Sequence, residues 1–320
     1  MSVTIKDVAK EAGVSIATVS KVINHKPSIS EATRQHVLKV MEQLNYHPNA
    51  QASNFARKRS ENIIFLSVTE THTAFHDPHM FALLCGAQKK IHDKKYNVSF
   101  IGSPDKETAL KEAKELIERK VADGILVHGS ATSRPLAALL TETGFPHVII
   151  GRPPFSTATC WIDINNHVSG EMATKYLNKC GYSQIAFIGG PETDEISRHR
   201  LKGFLSTMYI NGYSVPDFFV KYGTYSRESG FQMMEELLRA SCLPDAVICE
   251  NNQIAMGATD AIKKHGMSIP DDIGVITFDD YPLSQLIDPP LPVVDIDVYE
   301  RGNLAASILL KRIQNPALQV

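Results

Sequence analysis

The sequence predicts an α/β protein carrying a small all-α head, on three observations. From Glu61 onward, short aliphatic runs alternate with helical stretches of about ten to fifteen residues. Before Glu61, Ser- and Thr-led helix starts follow one another with no strand-like run between them. Charge divides at the same place: residues 1–60 hold nine Lys or Arg against four acids, the remainder 24 against 31, within a net charge of −2. A cationic head on an anionic body suits a polyanionic partner, because neutralising phosphates releases condensed counterions.

Length and composition bound the rest. At 320 residues, one to three domains are expected. No apolar run reaches the roughly eighteen residues of a membrane span, so no membrane partner is expected. The opening "MSVTIKDVAKEAG" lacks the apolar core of a secretory signal, so a cytoplasmic protein is expected. Five cysteines (Cys85, Cys160, Cys180, Cys242, Cys249) form no C-x-x-C pair. They are expected as buried thiols in a reducing compartment, without disulfides, zinc or any cofactor.

In the head, Thr4 and Asp7 start a first helix with a capping box, and Ile5, Val8, Ala9 and Ala12 form its apolar face. Gly13 ends it, being the residue most at ease at φ > 0. Ser15 caps "IATVSKVIN", whose Val19, Val22 and Ile23 point inward. Ser30 caps "EATRQHVLKVMEQLN", with Val37, Val40, Met41 and Leu44 as its buried stripe. Helix, Gly-containing turn and short second helix make a helix-turn-helix, which leaves the second helix free to enter a DNA major groove. On its outer face lie Ser15, Ile16, Ala17, Thr18, Ser20 and Lys21. Ile16 and Ala17 suit thymine methyls, and Lys21 suits guanine or phosphate. Thr4, Asn24, Ser30, Thr33 and Arg34 suit phosphates, which fix register without reading sequence. The competing reading is a three-helix protein-interaction module.

"TIKDVAKEAGVSIATVSKVIN" followed by "YHPNAQASNFA" resembles the LacI/GalR family of bacterial transcription regulators, and the similarity runs through the whole chain. It implies a DNA-binding head over residues 1–46 and a hinge over 47–60. The body, 61–320, is then built like a periplasmic sugar-binding protein, with one lobe near 61–162 and 293–320 and the other near 163–292. Tyr46, Asn49 and Ala52 join the DNA-contact set by resemblance. The hinge segment is only about three turns long, marginal as an isolated helix; the family folds it on DNA and wedges an apolar side chain into the minor groove. Phe55 holds that position here, where leucine is usual, and phenylalanine wedges elsewhere. Ser53 replaces a common arginine, and Arg57, Lys58 and Arg59 offer compensating charge. A flexible charged linker is the alternative.

In the body, "NIIFLSV", "NVSFIGS", "DGILVHG", "HVIIGR", "QIAFIGG", "DAVICEN" and "GVITFDD" read as strands of parallel sheets covered by helices on both faces. Ligands of such sheets gather beyond the strands' carboxyl ends. No G-x-G-x-x-G follows the first strand, and G-x-x-x-x-G-K-[ST] and G-x-S-x-G are absent; "IGGP" at 188–191 is a turn. The resemblance implies an effector site of Arg200, Tyr225, Asn251 and Asp279, joined from the other lobe by Arg152 and the 71–81 loop with Phe75. Arg200 would grip sugar hydroxyls and Tyr225 would stack on the ligand. Asp77 and Asn252 depart from the family's Asn and Asp at their positions. "IDINN" at 162–166 and "PPLPVVDIDVYERG" at 289–302 look closest to maltose-type repressors, which implies an α-glucoside effector. The resemblance also implies a strand beyond the final helix, "ERGNLAASILLKRIQ", and the sequence stops before one.

The reading is therefore a nucleoid-associated, homodimeric repressor of carbohydrate-use genes, holding an inverted-repeat operator under control of a small molecule. The dimer follows because two-fold proteins read such repeats, and "MFALLCGAQKKIHDKK" offers an apolar face either for it or for burial within its own lobe. A sugar- or nucleotide-processing enzyme with an accessory head is the rival, and it lacks a recognisable catalytic set. A solute-binding receptor is opposed by the cationic head. Phe55→Ala is expected to weaken operator binding tenfold or more and leave sugar binding intact, as read by gel-shift titration.

Overall fold

The computed structural model describes residues 3–24, 26–47, 59–69, 78–280, 284, 287–316 and 318. Two compact units result, Met1–Glu61 and Asn62–Val320.

In the first unit, α1 (Ile5–Glu11), α2 (Ile16–Ile23) and α3 (Glu31–Gln43) form where their caps are written. The Asp7 carboxylate accepts from the Thr4 N–H at 2.9 Å and the Thr4 hydroxyl at 2.7 Å, which holds its pKa below the usual carboxylate range. Ser15 accepts from the Thr18 N–H and Ser30 from the Thr33 N–H, at 3.1 and 3.3 Å. Gly13 turns the chain at φ +62°. Val8, Ala9, Ala12, Val19, Val22, Val37 and Val40 are buried together, each valine contributing about 1.5–3 kcal/mol of transfer free energy.

The second unit begins with β1 (Asn62–Val68), α4 (Pro78–His92), β2 (Asn97–Ser103), α5 (Lys106–Glu118), β3 (Gly124–His128), α6 (Arg134–Glu142), β4 (His147–Ile150) and β5 (Trp161–Ile162). It continues with α7 (Asn166–Lys179), β6 (Ile185–Gly189), α8 (Glu195–Ile210), β7 (Val220–Tyr222), α9 (Arg227–Leu238), β8 (Ala246–Cys249), α10 (Asn252–Lys264), β9 (Gly274–Phe278), β10 (Val293–Val294) and α11 (Val298–Gln314). Among the described residues the strands make two sheets, ordered β2-β1-β3-β4-β5 and β10-β9-β8-β6-β7. Every pairing is parallel. The α/β expectation holds, with helices on both faces; β1, β3, β4, β6, β8 and β9 are buried nearly end to end, while β2 is largely exposed or half-buried.

Strands β5, β7 and β10 carry too few residues to show a periodicity. One of them moves a boundary: Val293 and Val294 pair with Thr277 and Phe278 of β9, so they belong to the second sheet. The return segment, expected from 293, joins the first lobe with α11. There Val298, Ala305, Ala306, Leu309 and Leu310 enter the core of Ile63, Phe65 and Leu126. The thiol expectation is corrected in part. All five cysteines are free; Cys160 and Cys249 are buried, but Cys180 and Cys242 are exposed. Cys180 is the residue that ends α7, outside the sheet packing that covers Cys249.

Helix pairs within the lobes cross backbone to backbone at reciprocal glycines. A Cβ on Gly170 (α7) would fall 2.1 Å from the Arg200 carbonyl oxygen, and one on Gly203 (α8) 2.0 Å from that of His167. Gly86 with Gly302 and Gly230 with Gly257 do the same for α4–α11 and α9–α10. Because the obstruction is backbone, no rotamer change relieves it. Gly203→Ala is expected to cost about 1–3 kcal/mol in urea unfolding, against less than about 0.5 kcal/mol for Lys202→Ala on the exposed side of the same turn.

Candidate functional site

Burial of Val19 and Val22 turns the opposite side of α2 to solvent. Ser15, Ile16, Ala17 and Lys21 are exposed there, with Thr18, Ser20 and Asn24 half-buried beside them. Ile16 is 45% exposed, an apolar β-branched side chain displayed at a helix start. Several expected phosphate contacts already have internal work. The Ser15 and Thr18 hydroxyls lie 2.9 Å apart, and those of Ser30 and Thr33 2.8 Å, within their caps. Thr4 is tied to Asp7, and the Asn24 amide donates to the Ser20 carbonyl at 2.8 Å. The Arg34 guanidinium donates to the Lys26 carbonyl at 2.9 Å and lies 3.5 Å from Glu31. It thereby braces the loop after α2 against α3. Tyr46 packs, half-buried, against the head's core. Asn49, Ala52, Phe55 and Phe75 lie outside the described residues.

In the body, polar side chains converge at the carboxyl ends of β6, β8 and β9. Arg200, 4% exposed, is carried on α8 at its crossing with α7. Its Nε donates to Asn166 Oδ1 at 3.1 Å and its Nη1 to the Glu250 carbonyl at 2.7 Å. The guanidinium carbon stands 4.0 Å over the Phe278 ring centroid. Nη2 has no hydrogen-bond partner among the described residues.

Glu250, immediately after β8, is wholly buried. Its carboxylate accepts from the Gly190 N–H at 2.7 Å, from the Ser197 hydroxyl, and from the Tyr225 hydroxyl at 3.1 Å. Burial pushes the Glu250 pKa up, while Arg200, Ser197 and Gly190 pull it back. Burial and the neighbouring Glu250 carboxylate raise the Tyr225 phenol. Tyr225 is 37% exposed. Asn251 caps α10, its Oδ1 accepting from the Ile254 N–H at 2.8 Å. Asp279, at φ +70°, follows β9; its carbonyl accepts from the Asn252 amide at 2.8 Å. Asn252 thus ties the start of α10 to the end of β9.

The first lobe brings a second cluster. Arg301 of α11 lies 3.5 Å from Asp163 and donates to His79, whose ring centroid is 6.1 Å from that of His128. Burial holds the His79 pKa well below the usual imidazole value, with the charges of Arg301, His128 and Arg200 adding to it. Arg200 belongs to the other lobe, so the two clusters lie within electrostatic reach of each other. Arg152 is exposed; its N–H donates to Asp163 at 3.0 Å and its guanidinium lies 5.9 Å from the Trp161 ring. The structure therefore gathers Arg200, Tyr225, Asn251 and Asp279 at neighbouring strand ends and sets Arg152 apart on the other wall. Sequence reasoning assigned no role to Glu250, Ser197 or Asn166, and it reached His79 only as part of the 71–81 loop, whose residues from Pro78 on are the start of α4. An acid directly after a four-residue apolar strand was a visible signal for Glu250; Ser197 and Asn166 carried none.

Comparison with known proteins agrees with this architecture. Residues 4–49 match the model of bacterial regulatory proteins of the lacI family, and residues 174–319 match the periplasmic binding protein-like domain. The ribose operon repressor of Escherichia coli (strain K12) is 31% identical over 317 residues, covering 99% of this chain and 94% of the relative. The probable HTH-type transcriptional repressor ExuR of Bacillus subtilis (strain 168) is 35% identical over 318 residues, covering 98% and 92%. The structure of the lac repressor dimer bound to operator and the anti-inducer ONPF superimposes with a TM-score of 0.86 at 26% identity, covering 99% and 94%. A CelR–cellobiose complex does so with a TM-score of 0.74 at 26% identity, covering 99% and 95%. With a capped helix-turn-helix head, a two-sheet body and repressors aligned along nearly its whole length, the chain belongs to the lacI family of bacterial regulatory proteins.

Proposed function

We propose that this regulator is a cytoplasmic, dimeric repressor that reads an inverted-repeat operator with α2 and answers to a small carbohydrate held at the strand ends around Arg200. It is a DNA-binding transcription regulator rather than an enzyme, as its repressor relatives are. The observation that carries the effector half is the buried Arg200 guanidinium. It is fixed by Asn166 and Glu250 with Nη2 to spare, and planar forks of this kind suit vicinal oxygens. The DNA half is supported by the exposed Ile16, Ala17 and Lys21 on a helix whose other face is core. The caps of α2 and α3 add positive helix ends for phosphates, so Ser15 and Ser30 act through geometry as much as through their hydroxyls. Arg34 supports the reading as a brace for α2.

Dimerisation is supported by α4 and α11. Met80, Leu83, Ala87 and Ile91 of α4 are buried in their own lobe, so the available apolar area is Phe81 and Leu304, 66% and 54% exposed. The α-glucoside expectation is the finer part of the proposal. Relatives named for ribose and a structure holding cellobiose widen the candidates to neutral pentoses and glucose disaccharides. Among the described residues no helix is long and apolar enough to cross a membrane.

Lys21→Ala is expected to lower operator affinity and reduce the slope of log affinity against log salt by about 1, as one lost phosphate contact requires. Fluorescence anisotropy across a salt series measures both. Arg200→Ala is expected to weaken the effector response tenfold or more, from the ~1.5–3 kcal/mol of charge-assisted hydrogen bonds, while operator affinity without effector stays unchanged. Operator titrations with maltose, ribose and cellobiose test this; an unchanged response in the variant would sink the proposed site.

A further inference from the structure

Resting on operator binding by the head, we infer that the body adds a second, sequence-blind contact to the DNA, through two basic loops at the end where the chain from the head enters it. Asn62 opens β1, and β2 and β3 start level with it, Asn97 pairing with Asn62 and Gly124 with Ile63. The loops leading into those strands, 93–96 after α4 and 119–123 after α5, therefore flank the point of entry. Asn62 holds the second loop directly: its side-chain amide donates to the Val121 carbonyl at 3.3 Å, and its own carbonyl accepts from the Asp123 N–H at 2.9 Å. A duplex held by the head is tethered to this end of the body, away from the strands' carboxyl ends.

Four exposed cations sit on these loops, Lys94, Lys95, Arg119 and Lys120, against one exposed acid, Asp93. None of the four has an ion-pair partner among the described residues; the nearby Glu118 lies 3.9 Å from Lys114 instead. The body as a whole is anionic, with 24 Lys or Arg against 31 acids.

Where the lysines stand matters as much as their charge. Both loops are helix-ending turns of one form. The Lys95 N–H donates to the His92 carbonyl at 2.8 Å and the Tyr96 N–H to that of Ile91 at 3.2 Å. Lys120 and Val121 repeat the pair on Ile117 and Leu116, both at 3.1 Å. Such a turn needs one left-handed residue, a conformation that favours glycine and penalises any residue with a Cβ. After α7, α8 and α10, where the same two bonds recur, the chain writes Gly181, Gly212 and Gly266. After α4 and α5 it writes lysine, at φ +63° and +53°. A cation that merely offset the helix dipole could sit in the last turn without backbone cost, as Lys89 and Lys90 do on α4. The same local rule is broken twice, with the same charge, on either side of the chain's entry, which marks a surface kept for a partner. The partner that this charge fits is the phosphate backbone of a duplex, which a lysine meets as a point charge without reading sequence.

The test uses the full chain and fluorescence anisotropy over a salt series, on an operator selected from genomic fragments and on a random duplex of equal length. K95G/K120G restores the favoured residue at both turns. It is expected to keep or raise Tm, to weaken binding of both duplexes at least threefold, and to cut the slope of log affinity against log salt by about 2, roughly one per lost phosphate contact. K179A/K202A removes two exposed lysines from α7 and α8 and is expected to leave the slope unchanged. An unchanged slope in K95G/K120G, an equal fall in K179A/K202A, or a fall confined to the operator overturns the inference. Should the glycine variant not fold, K94A/R119A on the same loops decides, with the same fall expected. Operator reading by α2 is judged separately, by the preference of wild type for operator over random duplex.

Discussion

The contact on which the site depends is the backbone crossing of α7 and α8. Gly170 lets the Arg200 carbonyl approach to a distance at which any side chain would collide, and Gly203 returns the arrangement one turn along. Asn166, a turn earlier on α7, is thereby brought to the Arg200 side chain, and Glu250 meets it from β8. A long, flexible arginine is held by two helices and a strand end before any ligand arrives, so less rotamer entropy remains to be lost on binding.

Charge accounting follows from that placement. A carboxylate buried without partners would be strongly unfavourable, and Glu250 is tolerated because three donors and a nearby guanidinium surround it. The first lobe solves a similar problem differently. Arg301 lies against Asp163 and the neutral ring of His79, at the place where the chain passes between lobes. Both lobes thus keep polar networks at their strand ends, where open parallel sheets bind ligands. Differential contacts across that cleft are what would couple an effector to the head.

In the head, hydroxyls proposed to face DNA already serve the fold as helix caps. Ser15 and Ser30 satisfy N–H groups that would otherwise be orphaned, and they mark helix ends whose partial positive charge favours phosphate. Ile16, Ala17 and Lys21 are exposed on α2, which is why the proposed reading surface is placed on them. Arg34 shows the reverse. Its charge suggested phosphate, yet carbonyls at the end of α2 hold it.

What the sequence alone determined is local. The three head helices follow from caps, a left-handed glycine and apolar spacing. Seven strands follow from aliphatic runs that need no partner to be recognised, and the family likeness named Arg200, Tyr225, Asn251 and Asp279 one by one as its expected site. Tertiary structure decided what depends on residues distant in the chain. Strands β5, β7 and β10 exist because longer neighbours offer them an edge, and Val293–Val294 joins the second sheet for that reason. Cys180, at the end of α7, and Cys242, between α9 and β8, are exposed. Glu250 becomes central only when Gly190, Ser197, Arg200 and Tyr225, separated by up to sixty positions, meet at one strand end. A buried charge is permitted by its partners, and partners are a property of the fold.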